Sequence, residues 1–182
     1  MSSRKQLGEK FPKESRATRI GVRRIIGIDP GLAATGWGVV EIVRQKVKYL
    51  DHGSIVTKAG LSRPERLFNI YREFSSILEL YKPTEAAVEI LYFSRNVSSA
   101  LPVAEARGVL CMALAQRGIP IEEYSPNAIK RAVVGGGRAD KKQIQEMIRL
   151  LLGLREIPKP DHAADALGAA LCCAHTAKID NK

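Results

Sequence analysis

The chain has 182 residues, of which 45% are hydrophobic, and this predicts one globular domain with a buried core. No stretch approaches about 18 consecutive apolar residues, and the basic start lacks an apolar leader, so we expect no transmembrane helix and no secretory signal. The 3 cysteines lack the spacing of a metal site and suit a reducing compartment. A cytoplasmic protein is therefore expected.

The net charge of +10 is unevenly distributed along the chain. Residues 1–24 carry eight Lys or Arg side chains against two Glu, whereas the remainder is only mildly basic. We divide the sequence into a flexible basic arm (1–22), a folded domain (23–177) and a disordered tail (178–182). The arm either keeps the protein in solution or adds non-specific phosphate contacts, and the charge favours a polyanionic partner.

Strand propensity predicts three neighbouring strands at the start of the domain. The apolar run 23–29 ends at Asp29, where a Pro-Gly pair stops the strand. Further strands are predicted at 37–43 and 47–57, the second with a bulge near 51–53. Their short connections indicate an antiparallel meander.

Helices and strands then alternate. Apolar residues at i, i+3 and i+4 predict a helix that begins at a Ser62–Glu65 capping box and ends at Lys82-Pro83. The later predicted elements are a strand at 85–91, a helix at 99–116 rich in small residues, a strand at 119–124, a short helix to Val134, a helix to Leu152 and a helix at 162–177. This order predicts an α/β fold with a mixed five-stranded sheet flanked by helices on both faces, its first and fourth strands parallel neighbours.

Acidic residues from three elements are expected to meet at one edge of this sheet. Asp29 and Glu89 lie at the ends of adjacent parallel strands, and the last helix carries His162 and Asp165 at i, i+3 spacing. Each acid alone has a structural explanation, such as a turn cap, a first-turn residue, or the helix N-cap for Asp161. Together, carboxylates in a partly dry site repel one another. Two Mg²⁺ ions about 3.5–4 Å apart would offset that repulsion and activate water for phosphodiester hydrolysis.

Several motifs in one order give the chain a family resemblance. They are Ile26-Gly27-Ile28-Asp29-Pro30-Gly31, Thr35-Gly36-Trp37-Gly38, Val88-Glu89 with Tyr92, Ala106-Arg107-Gly108, Lys130-Arg131-Ala132-Val133-Val134-Gly135 and His162-Ala163-Ala164-Asp165-Ala166-Leu167. The set, spread over residues 23–177, closely resembles the RuvC family of Holliday-junction resolvases. The resemblance implies a ribonuclease H-like fold, a homodimer, and Mg²⁺-dependent nicking of two symmetry-related strands of a four-way DNA junction. It also implies work alongside the RuvA–RuvB branch-migration complex.

The resemblance also assigns residues. Asp29, Glu89, His162 and Asp165 match the family's catalytic, metal-binding positions, with His162 where many members have Asp. An imidazole is a softer ligand that suits Mn²⁺ at least as well as Mg²⁺, and it could instead serve as a base or proton shuttle. The role of His162 is open between ligand and shuttle.

Other matched positions concern DNA and the second subunit. Lys130 and Lys141 match basic residues that contact phosphate, with Lys142 as the alternative to Lys141. Tyr92 matches an aromatic that stacks on an unpaired base. We expect the helix over 99–116 at the dimer interface, so that a charge at Ala104 or Leu110 would give monomers.

Other functions account for fewer of these features. A ribonuclease H-like nuclease acting on RNA explains the carboxylates but not Tyr92 and the lysines as well. A junction-binding protein with weak catalysis is an alternative if His162 impairs metal binding. An actin-like ATPase also opens with a strand, an Asp and a Gly-rich turn, but it needs two domains and this chain is too short.

Overall fold

The computed structural model describes residues 22–90, 97–136 and 139–176, without the side chains of 97–99. Its elements are β1 (Val22–Asp29), β2 (Ala34–Val43), β3 (Lys46–Val56), α1 (Arg63–Tyr81), β4 (Glu85–Glu89), α2 (Val97–Ala115), β5 (Ile121–Tyr124), α3 (Pro126–Val134), α4 (Lys141–Leu152) and α5 (Asp161–His175). The predicted order of elements is confirmed. The expected arm before Val22 and the expected tail at 178–182 lie outside the described residues. Within them, no helix is long and apolar enough to cross a bilayer.

The five strands form one mixed sheet in the order β3-β2-β1-β4-β5. β1, β2 and β3 pair antiparallel, as the short connections predict, while β1–β4 and β4–β5 are parallel. The register between β2 and β3 shifts at Val39/Val40, opposite Tyr49 and Asp51, so the bulge lies beside the predicted position. The parallel pairing of the first and fourth strands is also confirmed.

The meander differs from prediction at its ends. β2 begins at Ala34 rather than residue 37, because Asp29 pairs with Gly36 and extends the ladder to the end of β1. β1 begins at Val22, one residue before the predicted strand. In the same strand, Arg23 forms an ion pair with Glu85.

Helix α1 begins as its sequence predicts. Glu65 Oε2 accepts hydrogen bonds from the Ser62 backbone N–H at 2.8 Å and from its hydroxyl at 2.6 Å, and Pro64 occupies the first turn. The helix ends at Lys82, whose left-handed backbone turns the chain into β4. The cap therefore fixes where α1 leaves the loop after β3.

The sheet has a hydrophobic core on each face. α1 and α2 cover one face, where Ile26, Phe74 and Leu110 are buried, and α3, α4 and α5 cover the other, around Ile25 and Leu171. Leu110 is only 1% exposed. Its expected place on a subunit interface is therefore wrong, because this side of α2 packs against the sheet.

Candidate active site

Strand pairing places Asp29 and Glu89 side by side. Ile28 of β1 is in register with Val88 of β4, so the next residue in each strand leaves the sheet at the same edge. The buried Pro30 follows Asp29, and β1 stops there because proline has no backbone N–H to donate to the sheet. The Asp29 side chain is 20% exposed, and Glu89 is half-buried. The sheet topology therefore places these two carboxylates at the same edge of adjacent strands, as predicted.

Glycines in the sheet let α5 come close enough to bring its residues to this edge. A Cβ built on Gly36 would lie 1.9 Å from the backbone oxygen of His162, and one on Gly27 would lie 1.9 Å from that of Ala166. On the helix side, Ala163 and Ala166 are fully buried. Small residues on both surfaces therefore allow backbone-to-backbone packing, and this packing sets the position of the start of α5.

His162 contacts Asp29 directly. Its Nδ1 lies 2.7 Å from Asp29 Oδ2. The imidazole is 50% exposed, so its other ring nitrogen is accessible from the solvent side of the site. With Nδ1–H donating to the carboxylate, the remaining nitrogen has a lone pair available for a proton or a cation.

Asp165 lies one turn further along α5 and faces Lys141. The Lys141 ammonium is 3.5 Å from Asp165 Oδ2 and 2.9 Å from Asp161 Oδ2. Gln145, a buried residue of α4, donates through Nε2 to Asp161 Oδ1 at 3.0 Å. α4 therefore contributes a cation, the Lys141 ammonium, and a hydrogen-bond donor, the Gln145 amide, to the first turn of α5.

Asp161 does not hold the position in α5 that was expected for it. It is not the N-cap of α5, because Pro160 holds that position and Asp161 is the first helical residue. Its carboxylate contacts Lys141, which also contacts Asp165, and this couples Asp161 to the site. Hydrogen bonds from Lys141 and Gln145 lower the pKa of Asp161, so its carboxylate remains ionised. A carboxylate in the first turn of a helix that also contains the predicted motif was the only sequence signal for this role.

The site is electrostatically unfavourable for its own carboxylates. Burial raises the pKa of Asp29, an effect that Asp165 reinforces and that the hydrogen bond from His162 opposes. Burial also raises the pKa of Glu89, with further increases from the charges of Asp29 and Asp165. Lys130, exposed on α3, acts in the opposite direction on Glu89. A positive charge at this edge of the sheet would stabilise both ionised acids.

The donor chemistry of the site suits a divalent cation, since carboxylate oxygens bind Mg²⁺ and Mn²⁺ and an imidazole suits Mn²⁺ at least as well as Mg²⁺. Within the described parts of the chain, no group of three or more His, Cys, Asp or Glu side chains is arranged to hold a metal ion. Asp29 is directed to His162 and Asp165 to Lys141. The side chains therefore share one electrostatic environment without converging on a common point.

The predicted DNA contacts lie on different sides of the carboxylates. Lys130, with Ser125, Asn127 and Arg131, lines a groove of about 550 Å³ beside the start of α3. Lys142, the alternative to Lys141, lines a separate groove between α3 and α4. Tyr92 lies outside the described residues.

The mixed five-stranded sheet, with acids at the ends of its central parallel strands and on the helix that crosses them, defines a ribonuclease H-like fold of the junction-resolvase type. A family model described as "Crossover junction endodeoxyribonuclease RuvC" matches residues 25–173. The chain therefore belongs to the RuvC family.

Individual relatives agree with this assignment. The crossover junction endodeoxyribonuclease RuvC of Chloroflexus aurantiacus is 53% identical over 154 residues, which cover 85% of this chain and 94% of that protein. The protein of the same name from Treponema denticola is 51% identical over 147 residues, covering 81% and 83%.

Solved structures give the same result. Thermus thermophilus RuvC in complex with Holliday junction substrate superposes with a TM-score of 0.78 at 34% identity, covering 82% of this chain and 92% of that one. The yeast mitochondrial Holliday junction resolvase Ydc2, at 14% identity and a TM-score of 0.61 over 84% and 78%, shares the fold.

Proposed function

We propose that this chain is a divalent-metal-dependent endonuclease that resolves four-way DNA junctions by paired nicks in two symmetry-related strands. The observation that carries the proposal is the electrostatic environment that Asp29, Glu89, His162 and Asp165 share at one edge of the sheet. Membership of the RuvC family supplies the substrate class. Thermus thermophilus RuvC, 34% identical, has been solved with a Holliday junction substrate.

In this proposal, Asp29, Glu89, Asp165 and His162 hold the catalytic cations, two Mg²⁺ ions per site or Mn²⁺ in their place. The bound cations would supply Lewis acidity and lower the pKa of a water. The raised pKa values of Asp29 and Glu89 support this assignment, because they reflect carboxylates that gain from an added positive charge.

The remaining residues orient groups and balance charge. Asp29 accepts a hydrogen bond from His162 Nδ1–H, which fixes the ring and leaves Nε2 as ligand or proton acceptor. Lys141, held by Asp161, is placed beside Asp165 to stabilise negative charge on the phosphate. Lys130 contacts phosphate on the α3 side, and Tyr92 stacks on an unpaired base.

Paired nicks require two sites related by a twofold axis, because the strands cut are themselves symmetry-related. Leu101 and Met112 are large apolar side chains exposed on α2, about three turns apart, and Ala104 is half-exposed between them. We place the dimer interface on this outward face of α2. Met112→Glu should give monomers in light scattering, whereas a charge at Leu110 would disrupt the core of one subunit. Cooperation with RuvA–RuvB is proposed from family membership alone.

The proposed function is tested with three nucleic acids: a synthetic four-way junction, a duplex and an RNA–DNA hybrid, each with Mg²⁺, with Mn²⁺ and with EDTA. We expect metal-dependent cutting of the junction in paired strands. Asp29→Asn should abolish cutting and leave junction binding nearly unchanged, because phosphate contacts supply most of the affinity.

Other outcomes select other functions. Preferential cutting of the hybrid would make this an RNA-directed nuclease. Tight junction binding without cutting in either metal would make it a junction-binding protein. Loss of junction binding in Asp29→Asn with cutting retained would contradict the assignment of the site.

A further inference from the structure

A second groove opens beside the carboxylates, on the side of α1. It has a volume of about 570 Å³, and its lining includes Gly31, Ala34, Arg63, Arg66 and His162. Because His162 belongs to both, this groove is continuous with the candidate active site. Apolar residues such as Leu32 and Pro102 also line it. A groove lined by apolar and basic side chains suits a nucleotide whose phosphate binds the basic side chains.

The two arginines of the groove differ in their partners. Arg63 donates to the carboxylate of Glu105 at 3.3 Å, so its charge is already balanced. Arg66 is half-buried, and within the described parts of the chain it has no carboxylate within ion-pair distance. Its charge is therefore available to an anion that enters the groove.

The Arg66 side chain is held in one orientation by a short chain of hydrogen bonds. Its Nε–H donates to Thr57 Oγ1 at 2.7 Å, and the Thr57 hydroxyl donates to the backbone oxygen of Leu32 at 2.6 Å. Thr57 is buried, and Leu32 belongs to the turn that follows Asp29. The anchor uses only Nε–H, and among the residues that the structure describes no acceptor binds the terminal nitrogens, whose donors can therefore bind a phosphate in bidentate geometry.

We propose that Arg66 binds a backbone phosphate of the cleaved DNA strand that neighbours the scissile phosphate. Resting on the proposed function, this makes Arg66 a positioning residue: it anchors the strand on the α1 side of the site, opposite Lys130 on the α3 side. The Arg66–Thr57–Leu32 connection then ties the position of that phosphate to the turn that carries Asp29.

The test measures junction affinity in EDTA over a range of salt for wild type, Arg66→Gln, Arg66→Lys and Arg72→Gln. Arg72 is exposed on the same helix and does not line the groove, so it is the matched control. Each lost phosphate contact lowers the slope of log affinity against log salt by about 0.9. Arg66→Gln should show this decrease in slope once for each subunit. Between about 50 and 200 mM salt, the fold-loss of affinity should therefore be roughly threefold smaller than in wild type for each contact removed. Arg66→Lys and Arg72→Gln should keep the wild-type slope.

A second measurement changes the DNA instead, and its result for the wild type does not depend on the folding of a variant. Junctions are made with a single neutral methylphosphonate at each phosphate flanking the scissile bond. One substitution should weaken binding by wild type and have no further effect on Arg66→Gln. The proposal is overturned if Arg66→Gln keeps the wild-type slope, or if no flanking methylphosphonate weakens wild-type binding. Failure of the wild type to bind or cut the junction would instead refute the proposed function itself.

Discussion

Replacing Gly36 by alanine should move the start of α5, which carries His162 and Asp165, away from the strands that carry Asp29 and Glu89. A Cβ at this position would lie 1.9 Å from the backbone oxygen of His162 and 2.9 Å from its Cβ. Because non-bonded atoms rest at about 3.5–4.0 Å, the start of α5 must move from β2 by roughly 1.5 Å. The obstacle is backbone, so no side-chain rotation relieves it.

Both stability and cleavage should suffer. Overpacking of this kind costs about 1–3 kcal/mol of unfolding free energy, and at roughly 2–4 °C per kcal/mol for a chain of this size the melting temperature falls by about 2–12 °C. The larger effect is on catalysis, since moving a catalytic group by about 1 Å can lower the rate about 100-fold. Junction affinity should change little, because Lys130 and the other phosphate contacts lie on other elements.

The assay is single-turnover cleavage of a four-way junction below the melting temperature of every variant, with binding measured by fluorescence anisotropy. Gly60→Ala is the control, because a Cβ there meets no atom within 4 Å. A folded Gly36→Ala protein that cuts the junction as fast as Gly60→Ala would refute the argument that close packing of α5 positions His162 and Asp165.

Three further changes probe other features. Burial and neighbouring carboxylates raise the pKa of Glu89, so ionisation of this side chain destabilises the fold as pH rises through that pKa. In EDTA, Glu89→Gln should therefore have a higher melting temperature than wild type near pH ~7, and the difference should disappear near pH ~3. Lys141→Gln should slow cleavage about 100-fold while Lys142→Gln cuts normally, and equal losses would contradict the assigned contacts. A hydrogen bond to Asp51 raises the pKa of Tyr81 to about 12. That bond stabilises the fold below the ordinary tyrosine pKa of about 10 and is lost through about 12. Tyr81→Phe should therefore cost about 1 kcal/mol at neutral pH and remove a tyrosinate transition near pH about 12 from the absorbance titration.

The amino-acid sequence alone predicts the order of the elements and the ends of the two central strands. Pro30 and Gly31 stop β1 immediately after Asp29, and this is a local property of the backbone. Parallel crossover rules then place Glu89 beside it, which the register of Ile28 with Val88 confirms. The family motifs carried the same information by resemblance, and family membership is confirmed.

Burial and long-range pairing were decided only by the tertiary structure. Glu85 is more deeply buried than the predicted site residue Glu89, and it forms an ion pair with Arg23, which is distant in sequence. Small-residue content marked α2 as a contact surface, but it did not show that Leu110 faces the sheet. Side-chain direction on a helix that is apolar on several sides depends on which neighbour covers it, and no local pattern specifies that neighbour.

The same limit applies to the surroundings of the site. The spacing of His162 and Asp165 predicted that they share a face of α5, but not that Lys141 would be held between Asp161 and Asp165 by α4. Nor did it predict Arg66 beside the turn after β1. These contacts join elements far apart in sequence, and their geometry follows from how closely α5 packs on Gly36 and from where α1 begins. Local sequence therefore placed the acids at the edge of the sheet, and packing decided which basic side chains lie beside them.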